Sequence, residues 1–95
     1  MKTQTTTDVF RDLAFDPEEA ENLRIRAALM TELSEHIRRS GMTQSQAATA
    51  LGVTQPRISD LVRGKIDVFS IDTLIALISK AGIRISMRVG GTKVA

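Results

Sequence analysis

The spacing of apolar residues predicts a long helix near the start of the chain. Between residues 16 and 40, apolar side chains recur every three or four positions, as they do on one face of a helix. Asp16 is a suitable N-cap ahead of Pro17, and Gly41 can take the left-handed conformation that ends a helix. The predicted inner stripe consists of Leu23, Ala27, Met30, Leu33 or Ser34, and Ile37.

Three shorter helices are predicted after Gly41. Two of them, at 43–51 and about 55–62, are separated by Gly52, and a connecting loop over 65–69 follows them. Ser70 then caps a helix that ends at Gly82. The side chains expected to face the core are Ile58, Leu61 and Val62 in one of these helices, and Leu74, Leu77, Ile78 and Ala81 in the last.

The segment at 83–89, IRISMRV, alternates apolar and polar residues and therefore predicts a half-buried β-strand. The backbone groups of a strand need a neighbouring strand, and no other segment of this sequence is a convincing one. We therefore expect the partner in another chain, either the same strand in a twofold dimer or the sheet edge of a different protein. The apolar side chains assigned to this dimerisation element are Ile83, Ile85, Met87 and Val89.

Composition narrows the class of protein. The 95 residues are enough for one small core, and the absence of cysteine excludes disulfides and thiolate metal sites. The single histidine, His36, makes no complete metal site, so neither an enzyme nor a cofactor is expected. No apolar run approaches the roughly 18 residues that span a bilayer, and we expect a cytoplasmic protein with no membrane partner.

Charge divides the chain into an acidic start and a basic remainder. The first 22 residues carry six acidic and two basic side chains, whereas the other residues carry 11 basic and five acidic ones. We expect 1–15 to be a flexible acidic leader, 16–82 a helical domain, and 90–95 a disordered tail. The leader contains an apolar cluster, Val9, Phe10, Leu13 and Phe15, which is either a lid on the core or a docking segment for a partner. The candidate partner contacts among them are Val9, Phe10 and Phe15.

The stretch from Gln44 to Arg63 has the pattern of a helix-turn-helix. Gly52 permits the sharp turn between two helices, and Ala48 is small enough for those helices to cross closely. Apolar residues fill the remaining inward positions. These are Ala47, Leu51, Val53, Ile58 and Leu61.

The outward face of the second helix is polar and suits the major groove of DNA. Gln55 can pair with adenine, Pro56 can contact a thymine methyl, and Asp60 can accept from a cytosine amino group. Arg57, at the flank, can pair with guanine, and Ser59 lies on the same face. Phosphate contacts are expected at the helix N-termini and from two basic residues that could equally be solvated surface charges. The predicted phosphate-contacting residues are Thr43, Gln44, Thr54, Arg63 and Lys65.

The sequence GMTQSQAATALGVTQPRISDLVRGK resembles the xenobiotic-response-element (XRE) family of bacterial and phage regulators. This resemblance implies a mainly α, compact helical bundle of the lambda-repressor-like type, to which the sequence adds one C-terminal strand. The flanking segments resemble those of small HigA-like antitoxins. That further resemblance implies a homodimer that binds operator DNA, represses its own operon and neutralises a RelE-like toxin ribonuclease. Many relatives with this pattern are stand-alone regulators without a toxin partner.

Overall fold

Four helices and a short 3-10 turn account for most of the part of the chain that the computed structural model describes, residues 16–90. We number the helices in chain order. The turn lies between the third helix and the fourth and spans Ile66–Val68. The helices are α1, Pro17–Ser40; α2, Gln44–Leu51; α3, Gln55–Val62; and α4, Ile71–Lys80.

The two ends of α1 are fixed by the residues predicted to cap it. The Asp16 carboxylate accepts hydrogen bonds from the backbone N–H groups of Glu18 and Glu19, at 3.1 and 3.4 Å. Gly41 has a φ of 76°, and its N–H donates to the carbonyl of Arg38 at 3.2 Å. These contacts satisfy backbone groups that have no partner within the helix, and they confirm the predicted limits of α1.

The core lies between α1 and α4, and the pair α2 and α3 closes it from one side. Apolar side chains from all four helices meet there, as the three-to-four-residue periodicity predicted. Phe69 joins them from the segment between the 3-10 turn and α4, where only a connecting loop was expected. The buried residues are Met30, Leu33, Ile37, Ala47, Ala48, Leu51, Ile58, Leu61, Phe69, Leu74, Leu77 and Ile78.

Ala27 and Val62, which were both predicted to face the core, are exposed. Ala27 is exposed, whereas Leu29, which lies off the predicted stripe, packs partly buried against the core. Val62, at the last turn of α3, is 39% exposed. In α1 and in α3, the face that contacts the core is therefore rotated slightly from the face that the spacing of apolar residues predicted.

The predicted strand at 83–89 is wrong, because no residue within 16–90 forms a β-strand. Ile83 packs partly buried against the core, and its N–H donates to the carbonyl of Ile78 at 3.1 Å. Beyond it, Ile85, Met87 and Val89 are increasingly exposed, at 40%, 78% and 86%. The sequence alternates as a strand would, but the described helices use their backbone groups for their own hydrogen bonds. They therefore offer this segment no strand edge with which to pair.

Some sequence predictions lie outside the described residues. The leader 1–15, with the apolar cluster of Val9, Phe10 and Phe15, is among them, and so is most of the predicted tail. Within 16–90, no helix combines the length and the apolar character that crossing a membrane requires.

Candidate nucleic-acid interface

The junction between α2 and α3 is built around Gly52. Gly52 has a φ of 72°, and its N–H points to the carbonyls of Ala48 and Thr49. The N–H of Val53 donates to the carbonyl of Ala48 at 3.0 Å, and Ala47 and Ala48 are both buried. Small side chains at the crossing and a left-handed glycine at the turn let the two short helices pack closely. This confirms the helix-turn-helix geometry predicted for the stretch.

One face of α3 is anchored in the core. Ile58 and Leu61 are 0% and 1% exposed, and the Thr54 hydroxyl caps the helix by accepting from the N–H of Arg57 at 3.3 Å. On the other side, Gln55 and Pro56 are exposed at the N-terminal end of the helix, where recognition helices meet base edges. Farther along the same helix are Ser59 and Asp60, which are half-buried.

The N-terminus of α2 carries a capping box that was not predicted. The Thr43 hydroxyl accepts from the N–H of Gln46 at 3.0 Å, and the Gln46 amide oxygen accepts from the N–H of Thr43 at 2.9 Å. The capping box thereby uses one lone pair of the Thr43 hydroxyl and the Thr43 backbone N–H, while the hydroxyl proton is left to donate to an acceptor such as a phosphate oxygen. Gln44 follows it and is half-buried.

Two basic residues lie at the C-terminal end of α3. Arg63 is the residue at which the helix ends, and both Arg63 and Lys65 are exposed. The N–H of Lys65 donates to the carbonyl of Asp60 at 2.9 Å, which ties the backbone of the following segment to the last turn of the helix. Their side chains place positive charge just beyond the C-terminal end of the helix.

Arg57 is turned toward the body of the protein. Its guanidinium Nη1 donates to the carbonyl of Val68 at 3.2 Å, and its guanidinium carbon lies 5.7 Å from the centre of the Phe69 ring. The predicted guanine contact would use the same guanidinium group. That contact stays a prediction, because the described contacts of Arg57 are all made within the chain.

A helix-turn-helix domain family matches residues 9–90, nearly the whole chain. The chain is also 31% identical over 78 residues to an uncharacterised helix-turn-helix-type transcriptional regulator of Haemophilus influenzae, covering 82% of this chain and 79% of that one. A solved structure whose name assigns it provisionally to the XRE family superposes on this chain with a TM-score of 0.72. The two are 26% identical, and the match covers 81% of this chain and 90% of the other. The chain belongs to the XRE type of helix-turn-helix transcriptional regulators.

The arrangement in this XRE-type regulator suits DNA binding. An exposed polar end projects from a helix whose other face is a buried apolar anchor, and exposed basic side chains follow the opposite end of the same helix. Polar groups of this kind suit base edges, and basic ones suit phosphates. Sequence reasoning found these features through helical spacing. It missed the contact of Arg57 with the segment 11 residues farther along, because no regular periodicity links positions across a turn.

Proposed function

We propose that this regulator is a homodimeric repressor that reads a palindromic operator, and that it is the antitoxin of a toxin–antitoxin operon. The observation that carries the DNA-binding part is the exposed N-terminal end of α3, where Gln55 and Pro56 project from a helix whose opposite face is anchored by Ile58 and Leu61. Binding over a promoter would repress transcription by excluding the polymerase.

Base reading is assigned to the outward residues of α3. Gln55 pairs with an adenine through its amide, Pro56 packs on a thymine methyl group, and Asp60 accepts from a cytosine amino group. Ser59 contributes a hydroxyl that either donates or accepts. The proposed phosphate contacts are the helix N-termini with their capping threonines, and the two basic residues after α3; they comprise Thr43, Gln44, Thr54, Arg63 and Lys65.

The base-reading assignment is tested by selecting binding sites from a randomised double-stranded DNA library and measuring Kd for single-base-pair variants of the selected site. Gln55→Ala should remove discrimination at one base pair, a loss of about 1–3 kcal/mol there, while the preferences at other positions remain. Ser79→Ala, an exposed polar change on α4, serves as the control. An unchanged preference profile for folded Gln55→Ala would contradict the assignment.

The phosphate assignment makes a separate prediction about salt. The logarithm of the binding constant should fall linearly with the logarithm of salt concentration, by about 0.9 for each phosphate neutralised. Removing one contact, with Arg63→Ala or Lys65→Ala, should reduce the steepness of that dependence by about 0.9, the contribution of one phosphate. It should also weaken binding to all sequences alike. If affinity does not depend on salt, this surface does not bind the DNA backbone.

The homodimer proposal is supported by exposed apolar side chains that follow α4. Ile85, Met87 and Val89 present apolar surface to solvent, whereas Ile83 already packs against the core. A dimer through these side chains would set two α3 helices at one spacing, about 34 Å apart for successive major grooves. The contact is proposed through side-chain burial and requires no β-strand.

Light scattering on the full-length chain after size exclusion tests this dimer. We expect the mass of two chains for the wild type and of one for Met87→Glu combined with Val89→Glu, with unchanged helical circular dichroism. Lys80→Glu, a charge change on α4, controls for the added acidity. A wild-type monomer on and off DNA would contradict the homodimer.

The antitoxin role is supported by the resemblance of the flanking segments to HigA-like antitoxins. The family match begins at residue 9 and so includes the leader cluster proposed to contact a toxin, which comprises Val9, Phe10 and Phe15. The same contact could use the outer face of α1. The partner expected from the resemblance is a RelE-like ribonuclease encoded beside this gene.

Co-expression with the product of the adjacent gene tests the antitoxin role. We expect the two proteins to co-purify, and we expect the regulator to restore growth to cells that express the partner. Phe10→Ala with Phe15→Ala should abolish rescue and leave DNA binding intact. A neighbouring product that neither binds nor inhibits growth would favour the alternative, a stand-alone XRE-type regulator. The names of the two relatives describe both of them as transcriptional regulators.

A further inference from the structure

We propose that Arg57 is a positioning residue that, together with Arg26, holds the recognition helix at a fixed angle on the body of the protein, and that it does not read a base. The inference rests on the proposed DNA-binding function, because it concerns how α3 is presented to DNA. It replaces the guanine contact predicted for Arg57 from its helical position alone.

The first observation is the place of the Arg57 guanidinium. It donates to the carbonyl of Val68 at 3.2 Å and lies 5.7 Å from the centre of the Phe69 ring. Phe69 is only 1% exposed, so its ring is fixed within the core. A hydrogen bond and a cation–π contact therefore connect α3 to a part of the molecule that cannot move independently.

The second observation is a matching contact to the same turn from another helix, α1. Arg26, a half-buried residue of α1, donates from Nη1 to the carbonyl of Ile66 at 3.0 Å. Its Nε donates to the amide oxygen of Asn22 at 2.7 Å, which fixes the direction of the side chain. Two carbonyls of one three-residue turn, at Ile66 and Val68, thus accept from arginines on α1 and α3.

These contacts join α1, the turn and α3 into one connected unit. The N–H of Lys65, just before the turn, donates to the carbonyl of Asp60 in α3, so the backbone reinforces the connection. The helix α3 has eight residues and two buried anchors, and the Ser34 hydroxyl of α1 donates to the carbonyl of Leu61 at 3.4 Å. The arginine contacts limit how far so short a helix can rock about these anchors.

A base-reading role and this positioning role make opposite demands on one side chain. Bidentate pairing with guanine needs the planar donor edge of the guanidinium to point into the groove. Bonding to Val68 and stacking on Phe69 directs the group back toward the core. If the positioning contacts persist on DNA, their loss displaces all the DNA contacts of α3 together. Affinity then falls by a similar factor for every operator variant, and no single base pair is singled out.

The test compares arginine-to-methionine variants, which keep the aliphatic stem and lose the charge and the donors. Arg57→Met and Arg26→Met are each measured against the full set of single-base-pair variants of the selected operator. Arg24→Met is the matched control, because Arg24 is an exposed arginine on α1 whose ion-pair partner, Glu21, lies on the same helix. All measurements are made at a temperature where circular dichroism reports wild-type helicity.

We expect Arg57→Met and Arg26→Met to raise Kd by about tenfold for every operator variant, with the ratios between variants unchanged within about twofold. Because both arginines act on one turn, the double variant should lose clearly less than the product of the two single losses. Arg57→Lys, which keeps the charge and a donor but loses the planar group, should give a smaller uniform loss. Arg24→Met should bind as the wild type does.

Three results would overturn the inference. Loss of preference at one base pair in Arg57→Met, with the other preferences intact, would assign Arg57 to base reading. Wild-type affinity in folded Arg57→Met and Arg57→Lys would show that its contacts serve folding alone. Both of these leave the proposed DNA-binding function standing, whereas a wild-type protein without any sequence preference would overturn that function and this inference together.

Discussion

The helix-turn-helix stretch and the C-terminal segment carry equally regular patterns in the sequence, yet only the first becomes regular structure. Between residues 43 and 63, most inward apolar positions are buried and both helices are capped. Between residues 83 and 89, strict alternation gives an irregular segment with exposed apolar side chains. The pattern was equally clear in both regions, and what differed was the availability of a partner surface.

The difference follows from where each element finds its hydrogen bonds. A helix satisfies its interior backbone groups locally and needs only an apolar neighbour and caps at its ends. A strand needs a second strand for every backbone group on at least one edge. Residues 16–90 form four helices and no strand, so the first region is completed and the segment at 83–89 finds no partner there.

The largest expected difference between the two regions is in the loss of stability when an apolar side chain is shortened to alanine. Ile58→Ala removes a fully buried side chain of α3 and should cost roughly 2–5 kcal/mol in free energy of unfolding. Val89→Ala removes a side chain that is 86% exposed and should change it by less than about 0.5 kcal/mol. Urea denaturation at a concentration low enough to keep the chain monomeric measures both. Equal losses would mean that residue 89 is buried in the folded chain.

A second contrast concerns glycine in the two regions. Gly52→Ala forces a residue with a side chain to adopt a φ of 72°, which should cost roughly 1–2 kcal/mol. The added carbon would also come within 3.0 Å of the Lys80 amine, the mobile end of a long side chain that can move aside. Gly90→Ala has no neighbour within 4 Å and should leave the melting temperature unchanged. A neutral Gly52→Ala would mean that the turn can relax.

Capping gives a smaller effect within the ordered region itself. Thr54→Ala removes the hydroxyl that accepts from the N–H of Arg57 and should cost about 1 kcal/mol in free energy of unfolding. Thr49→Ala, an exposed change within α2, is the control and should be neutral or slightly stabilising because alanine favours helices. Thermal unfolding in the absence of DNA isolates this effect from any phosphate contact of Thr54.

The smallest effect should come from surface charge on α1. The hydrogen bond from the Arg38 guanidinium lowers the pKa of the Glu35 carboxyl from its ordinary value of 4.5, and Arg39 adds to the shift. A lowered folded-state pKa stabilises the protein above 4.5, and that stabilisation is lost as the pH falls through the lowered value. Glu35→Gln should therefore slightly reduce the loss of stability between pH 5 and about pH 3.

Thermal melts across that pH range measure the effect of Glu35→Gln. Because the pair is exposed to solvent, we expect a change in melting temperature close to the limit of detection at neutral pH. A large loss at pH 7 would show that surface ion pairs, rather than caps and core, are what distinguish α1 from the C-terminal segment.

The sequence was sufficient to predict the helices and the helix-turn-helix because those features depend on local rules. Asp16, Gly41 and Gly52 act through their own backbone neighbourhoods, and the observed caps and turns confirm them. The buried face of α3 followed from the spacing of Ile58 and Leu61. The prediction that Val62 faces the core was wrong, because burial at the edge of a helix depends on how the neighbouring helices are placed.

The details of the candidate interface depended on contacts that no periodicity encodes. Phe69 comes from a segment predicted only as a loop, and the placement of Arg57 depends on where that ring is buried. Arg26 is separated by 40 residues from the carbonyl that it contacts. Pairings at such distances follow from the tertiary arrangement, and one sequence alone does not reveal them.

The division of α3 into an anchored face and an exposed face bears on how a new binding specificity could arise. Gln55 and Pro56 can be exchanged without disturbing a packed side chain. Substitutions at these two positions can therefore change the operator preference without changing the stability of the fold. Arg57 is exposed as well, yet its contacts with Val68 and Phe69 make it part of the framework. A library that varies 55 and 56 but retains 57 should therefore yield more functional regulators with altered targets than one that varies all three.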